Sequence, residues 1–430
     1  MAIEYGGADL YPQQRAAIFD EARIVCIEAS TKAGKAQPLD ALVYTPAGPV
    51  KLGTLSVGDT VLTPDGGTAA IVGVYPQGER DIYRVSFSDG TSTQCTLDHL
   101  WEVHDDRRNY RGSYQHRLVA GTAPRRRRDH VGWPRVLTLG DLLAYSEPRL
   151  RRMWVTVTET VAFQPRPVTI DPYLLGVLLG DGGLSGESIR LSCRDREILD
   201  RVAEAVSARY DLRTIGTDFV IALRDPYQLV PESERLIPAL KDLGVWGKLS
   251  HEKHIPDEYR YNTPEVRWEI LRGLFDTDGS VDSNGQPMFE VTSEQLAYGV
   301  AEIVQSLGGI VRIGTKKGSY RDANGERVEC RTVYRCRITH PDAPSFFALP
   351  RKRDAARPKH RGTKRTFRYV ELVRRAEAQC IEVAHADGLY LTDHLIVTHN
   401  TIGCLAWRLE QALKNGKEGR AFWWVAPVYS

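Results

Sequence analysis

Residues 171–183 read DPYLLGVLLGDGG, and residues 263–280 read TPEVRWEILRGLFDTDGS. Each stretch begins with a residue able to cap a helix, Asp171 or Thr263, places proline at the first helical position, and ends its apolar run in Asp-Gly. Behind each lies a β-type run and then an amphipathic helix: SIRLSCRDREILDRVAEAVSARY at 188–210, MFEVTSEQLAYGVAEIVQSLGG at 288–309. The chain therefore carries an internal repeat of helix, strands and helix. Gly176, Gly180 and Gly273 let the two leading helices cross closely, which brings Asp181 and Asp278 to one shared end. Two such carboxylates beside a phosphodiester suit magnesium, which stabilises in-line displacement at phosphorus. Residues 168–352 thus read as an α/β (α+β) domain with a pseudo-twofold repeat. On either side, 36–167 and 353–400 read as mostly β, with turns at Pro46-Ala47-Gly48, Gly58-Asp59 and Pro64-Asp65-Gly66-Gly67.

With 430 residues, the chain has room for two to four domains. Its seven cysteines form no CxxC pair or metal-ligand spacing, so a disulfide framework is not expected and the compartment reads as reducing. No apolar run reaches the roughly 18 residues of a membrane span. The first residues lack the blocks of a signal peptide, and a soluble cytoplasmic protein is expected. Net charge is only +2, but the basic residues are bunched. Arg107, Arg108, Arg111, Arg117 and Arg125 to Arg128 form one run; Arg351, Lys352, Arg353, Arg357, Lys359, Arg361, Lys364, Arg365 and Arg368 form another. Flanking the repeat with its paired carboxylates, both runs are expected to meet phosphates.

The two ends complete one another. Ala22–Ala29 reads as a buried strand, and the turn STKAGK at 30–35 is most of a phosphate-binding loop, interrupted because Ala36 replaces the expected Ser or Thr. Thr401 opens TIGCLAWRLEQALKNGKEGRAFWWVAPVYS, an amphipathic helix and a strand. Joining Lys35 to Thr401 restores Gly34-Lys35-Thr401, apart from Ala29 where the first glycine is usual. With Tyr11-Pro12-Gln13-Gln14 and Trp423 to Pro427, the joined ends (1–35 and 401–430) resemble the α/β P-loop ATPase domain of a phage terminase large subunit. The resemblance implies that ATP and magnesium bind only to the ligated, full-length protein, through Gly34, Lys35 and Thr401. The chain as it stands lacks the acidic strand such a site needs.

Between these ends, AQPLDALVYTPAGPVKLGTLSVGDTVLTPDG at 36–66 and LYLTDHLIVTHN at 389–400 resemble the two ends of an intein, whose horseshoe-shaped β fold, the Hint-type splicing domain, is then implied. Asn400 can cyclise onto its own peptide bond with Thr401, with His399 beside it as proton donor. Thr96-Leu97-Asp98-His99 matches the intein Thr-x-x-His element, which acts on the junction between Lys35 and Ala36. Most inteins begin with Cys or Ser; Ala36 has no nucleophile. The class 3 subclass instead uses Trp, Cys and Thr together, here Trp101, Cys380 and Thr401, and a Cys thiolate is a competent first nucleophile. Trp101 is expected to shape the pocket around Cys380. The other reading is a class 1 element whose initial Cys was replaced by alanine. Splicing needs no cofactor by either route.

LLGVLLGDG at 174–182 and LRGLFDTDG at 271–279 resemble the paired motifs of LAGLIDADG homing endonucleases. The resemblance implies magnesium at Asp181 and Asp278, double-stranded DNA as partner, and a monomer. Lys253, in HEKHIPDEY, matches a lysine found between the two motifs in intein endonucleases and is expected near the scissile phosphate. Leu179 stands where the family has an acidic residue. A degenerate DNA-binding insert is the alternative to an active nuclease.

Overall fold

The computed structural model describes residues 36–105, 134–225, 227, 231, 235–321, 326–359 and 363–399. Lys35, Gly34, Asn400, Thr401, both ATPase-like ends and the basic run 107–128 lie outside the described residues. Among the described residues no helix is long and apolar enough to cross a membrane, and Cys95, Cys193, Cys330, Cys336 and Cys380 form no disulfide with one another.

One twelve-stranded sheet draws its strands from residues 37–156 and from 364–399. The strands that matter for the site are β1 (Gln37–Pro38), β2 (Thr68–Phe87), β3 (Ser92–Cys95) and β4 (Leu100–Asp105) from the first part. The second part supplies β5 (Lys364–Val383), β6 (Leu389–Thr392) and β7 (Ile396–His399). β2 and β5 are each 20 residues long and pair antiparallel from Phe87–Phe367 to Ile71–Val383, with register shifts at four points. Such bulges bend a ladder and raise its twist. Both ends of β5 rejoin the same sheet, one beside Met153–Thr156 and the other beside β1. β6 and β7 form a hairpin running from Leu389–His399 to Thr392–Ile396. Two short helices, Leu139–Leu143 and Glu147–Leu150, interrupt the β structure, the first closed by a Thr138–Asp141 capping box.

Residues 172–355 build the second unit. Helix α1 (Pro172–Asp181) and helix α2 (Pro264–Thr277) pack side by side. Asp171 caps α1 through the Leu174 amide, and proline opens both helices. Behind α1 come Gly182–Gly183, Ile189–Leu191, a helix Arg196–Val206, and the hairpin Tyr210–Ile215 and Asp218–Leu223. Behind α2 the series repeats: Gly279–Val281, Pro287–Val291, a helix Glu294–Ser306, then Ile310–Arg321 and Arg327–Thr339. Both four-stranded sheets are antiparallel, and in both the spatial order is first, second, fourth, third.

Glycine is what allows the helix crossing. A Cβ on Gly176 would lie 2.4 Å from the Ile270 carbonyl oxygen, and one on Gly273 would lie 2.3 Å from that of Tyr173. These obstacles are backbone and cannot swing away. The two units also touch. Tyr44 of the large sheet donates to Glu302 at 2.6 Å, and Tyr261 donates to the same carboxylate at 3.0 Å. Fully buried Arg267 binds the carbonyls of Asn262 and Val161 and the Ser306 hydroxyl.

Gly273→Ala is expected to destabilise the helical unit by about 1–3 kcal/mol, the usual penalty for overpacking. Gly186→Ala, where an added Cβ meets nothing within 4 Å, should leave the melting curve in place; differential scanning calorimetry compares the two.

Candidate functional site

The β1–β5 register pairs Gln37 with Gln379 and Pro38 with Ala378, so one further step sets Ala36 opposite Cys380. Thr96 grips the backbone of Ala36 on both sides. The Ala36 N–H donates to Thr96 Oγ1 at 3.1 Å, while the Ala36 carbonyl accepts from the Thr96 N–H at 2.9 Å and from its hydroxyl at 3.2 Å. The amide nitrogen so held is the one that would leave if the preceding peptide bond were cut. Cys380 is buried, with Sγ 3.5 Å from the Ile381 carbonyl oxygen.

His99 closes the turn after Thr96, its N–H donating to the Thr96 carbonyl at 3.2 Å. Its Nε2 meets the Thr398 hydroxyl, and Trp101 lies edge-on with ring centroids 5.6 Å apart. The aromatic contacts of Trp101 are with His99, Phe87 and Phe367, and burial has taken the ring wholly out of water. Trp101 also acts on the buried Cys95 thiol, which together with Cys380 influences the Tyr390 phenol. His399 is buried and faces Leu100, the neighbour of His99. β4 and β7 thus bring together two histidines that are 300 positions apart in the sequence.

Residues without a recognisable pattern complete the centre. Gln37 accepts from the Tyr390 hydroxyl at 2.8 Å and donates to the Thr392 hydroxyl at 3.0 Å. Burial raises the Tyr390 phenol well above its ordinary pKa, with Cys380 and Cys95 next in effect. Sequence patterns could not single out Gln37, Tyr390 or Thr392, because no spacing links them.

In the second unit Asp181 and Asp278 stand at the adjoining ends of α1 and α2. Desolvation raises the pKa of both, and Asp181 pushes Asp278 further, up to about 6. Lys253 and Lys352 oppose the rise electrostatically, and no hydrogen bond contributes to lowering either carboxyl. The lysines occupy equivalent places. Lys253 Nζ lies 2.7–3.2 Å from the carbonyl oxygens of Leu178, Leu179, Gly180 and Gly182. Lys352 Nζ lies 2.7–3.5 Å from those of Phe275, Asp276, Thr277 and Gly279. Each ammonium caps the carbonyl end of one helix, where the dipole favours a cation. Burial lowers Lys253 to about 8.

In the sequence Lys352 stands within a basic run. Two other members of that run are also engaged: Arg351 pairs with Asp195, and Arg365 is fully buried against Asp89. The expectation of phosphate contacts therefore fails for Arg365. The apolar Leu179 has an acidic counterpart, Asp276, which accepts from the Ala348 and Leu349 amides at 3.1 and 3.2 Å and from the Tyr173 hydroxyl at 3.0 Å. It fastens the connection leading to Lys352, with both carboxylate oxygens taken up by these donors. No group of three or more His, Cys, Asp or Glu side chains suited to a metal occurs among the described residues. A cation at Asp181 and Asp278 would draw its remaining ligands from outside these side chains.

A family model described as a LAGLIDADG-like domain matches residues 265–339. The replicative DNA helicase DnaB of Mycobacterium intracellulare is 30% identical over 388 residues, 88% of this chain and 60% of that protein. The homothallic switching endonuclease of Saccharomyces cerevisiae is 25% identical over 186 residues, 39% of this chain and 32% of that protein. Among solved structures, the Msm DnaB1 intein splicing domain bound with zinc is 36% identical over 16% of this chain and 54% of its own, with a TM-score of 0.15. The homing endonuclease I-DmoI in complex with DNA and Mn is 14% identical over 40% and 89%, with a TM-score of 0.24. The chain spans about 60% of the length of the mycobacterial helicase it matches. In outline a largely antiparallel β unit is joined to an α/β unit whose second half matches the LAGLIDADG-like model.

A carboxyl whose pKa rises on folding favours the folded state most below its ordinary value of 3.8, and that preference is lost as pH climbs through about 6. Asp181→Asn removes one of the charges that raise Asp278. The Asp278 pKa, followed by carboxyl-carbon NMR, should fall, and the variant should melt higher than the parent at pH 7 with the gap closing below pH 4. Solvent reaching Asp278 keeps that gap small.

Proposed function

We propose that this chain is a self-splicing precursor of the class 3 intein type, which excises residues 36–400 and joins Lys35 to Thr401, and that it carries a DNA-cutting homing endonuclease. The units are 1–35 and 401–430 as the ligated flanks, 36–167 and 353–400 as the splicing element, and 168–352 as the nuclease. The observation that carries the splicing reading is the register setting Ala36 opposite Cys380, with Thr96 holding the Ala36 amide.

The chemistry follows from those positions. Cys380 Sγ bonds to the Lys35 carbonyl carbon, the bond to the Ala36 nitrogen breaks, and the nitrogen takes a proton on the side where Thr96 and His99 stand. Thr401 Oγ then receives the acyl group and releases the Cys380 thiol. The Asn400 side-chain nitrogen closes on its own carbonyl carbon and cuts the bond to Thr401, whose amine is protonated with help from His399. The ester finally rearranges to the Lys35–Thr401 peptide. Each step exchanges an acyl link for one the next group can attack. Trp101 fixes the His99 ring. The ligated flanks restore a phosphate loop of terminase type, where Gly34, Lys35 and Thr401 meet ATP and magnesium.

For the nuclease, Asp181 and Asp278 form an anionic pair with raised pKa values that suits a divalent cation, magnesium in the cell. When bound, such an ion stabilises the charge that builds on a phosphate in displacement. Lys253 and Lys352 hold the two helix ends in place and lower the cost of two neighbouring carboxylates. The substrate is double-stranded DNA of the intein-free host gene, and the protein acts as a monomer in the cytoplasm of a phage's host.

Mass spectrometry of freshly purified protein should show joined flanks and a free 36–400 fragment, and neither product with Cys380→Ala. If both proteins stay whole and Ala36→Cys starts splicing, the trapped class 1 reading replaces this one. DNA cutting should vanish in Asp181→Ala, Asp278→Ala protein and fall about 100-fold in Lys352→Ala, where the helix end that carries Asp278 is no longer held in place; undiminished cutting by the double variant removes the pair from the mechanism.

A further inference from the structure

Arg365 and Asp89 form an ion pair with both side chains completely out of water. Arg365 sits at the start of β5, where its backbone pairs with Val155; Asp89 sits in the Asp89-Gly90 turn between β2 and β3. The pair is fully satisfied. Arg365 Nε donates to Asp89 Oδ2 at 2.8 Å, and Asp89 Oδ1 accepts from the Thr91 amide at 3.1 Å and its hydroxyl at 2.7 Å. The other two guanidinium nitrogens point elsewhere: Nη1 donates to the Leu395 carbonyl and Nη2 to the His394 carbonyl, both at 2.8 Å.

Those two carbonyls belong to the most unfavourable backbone among the described residues. His394 (φ 55°) and Leu395 (φ 51°) are consecutive and the only non-glycine residues there with positive φ. The left-handed region is costly for residues with a Cβ, and such a conformation persists only where its surroundings impose it. The planar fork of one guanidinium, anchored by Asp89, supplies that constraint. The strained pair is also the turn between β6 and β7. In a hairpin the turn sets the register, and a slip of one residue moves every side chain to the other face. Here the register places His399 opposite Leu389 on one side and Leu100 on the other, beside His99.

We propose that Arg365, anchored by Asp89, is a positioning residue for cleavage at the Asn400–Thr401 bond: it holds the His394–Leu395 turn and so sets where β7 delivers His399. A buried ion pair adds little net stability over an apolar substitute, which leaves conformational specificity as its use here. This role rests on the splicing reading above. It bears chiefly on the second junction: the hairpin carries His399 itself, whereas it reaches the first only through Thr398 on His99 and through Tyr390 and Thr392 on Gln37.

The test uses the full chain and reads the two junctions separately. Hydroxylamine-induced cleavage after Lys35 reports the Cys380 step; spontaneous cleavage after Asn400 reports the second. Arg365→Lys keeps the charge but cannot span Asp89 and both carbonyls. It should leave the first rate within about threefold and slow the second about 100-fold, as small misplacements of reacting groups do. Adding His394→Gly and Leu395→Gly to Arg365→Lys should restore the second rate, since glycine adopts the left-handed turn unaided. Should Arg365→Lys not fold, Asp89→Asn with Arg365→Gln, a neutral pair, carries the same two readouts. Equal slowing of both junctions in a folded variant, or no rescue by the glycines, overturns the positioning role and leaves Arg365 a stability residue. The unsubstituted chain run alongside separates the two levels: if it cleaves at neither junction, the splicing reading itself fails and this inference with it.

Discussion

The antiparallel ladder between β2 and β5 is the constraint on which everything else depends. It joins residues near 80 to residues near 375, so the whole helical unit must leave the large sheet and return to it at neighbouring points. Four register shifts let the ladder curve, and both ends of β5 come back to the β6–β7 hairpin. One end carries Arg365, which holds the hairpin turn; the other carries Cys380, whose influence reaches Tyr390. A straight ladder of this length would keep these ends far apart.

The helical unit solves a different problem, that of placing two carboxyl groups side by side. Glycine contacts bring α1 and α2 within backbone distance, which aligns their carbonyl ends beside Asp181 and Asp278. Carbonyl ends and carboxylates repel one another. A lysine at each helix end, Lys253 buried and Lys352 half-buried, offsets this, and because both ammonium groups sit on backbone carbonyls they act as fixed parts of the scaffold. The unit is not symmetric throughout. Asp276 ties the segment leading to Lys352, whereas its counterpart Leu179 packs into the apolar core.

Much of this was legible because the relevant signals are local. Proline after a capping residue, glycine spaced along a helix and Asp-Gly at its end place α1 and α2, and the structure crosses them on Gly176 and Gly273 with Gly180 against Thr277. Thr96 and His99 are close in sequence because one turn holds both. Lys352 and Arg365 were not legible in the same way. Both sit in a run of basic residues that reads as a solvated, phosphate-seeking surface, and only burial distinguishes a helix cap and a turn clamp from that surface. Leu395 gave no warning either, since a leucine does not announce a left-handed backbone.

By itself, the sequence determined which residues are chemically able to act: a thiol, two histidines, an asparagine, two carboxylates, and an alanine where a nucleophile is usual. It determined the repeat as well, since capping and helical periodicity are properties of neighbouring residues. Tertiary structure alone decided which of these groups meet. Ala36 faces Cys380 because of strand register across more than 300 residues, and the Trp101 ring meets Phe367 because of how distant strands pair. Register, burial and the curvature of a ladder arise from contacts between distant segments, and no short stretch of sequence contains both partners of such a contact.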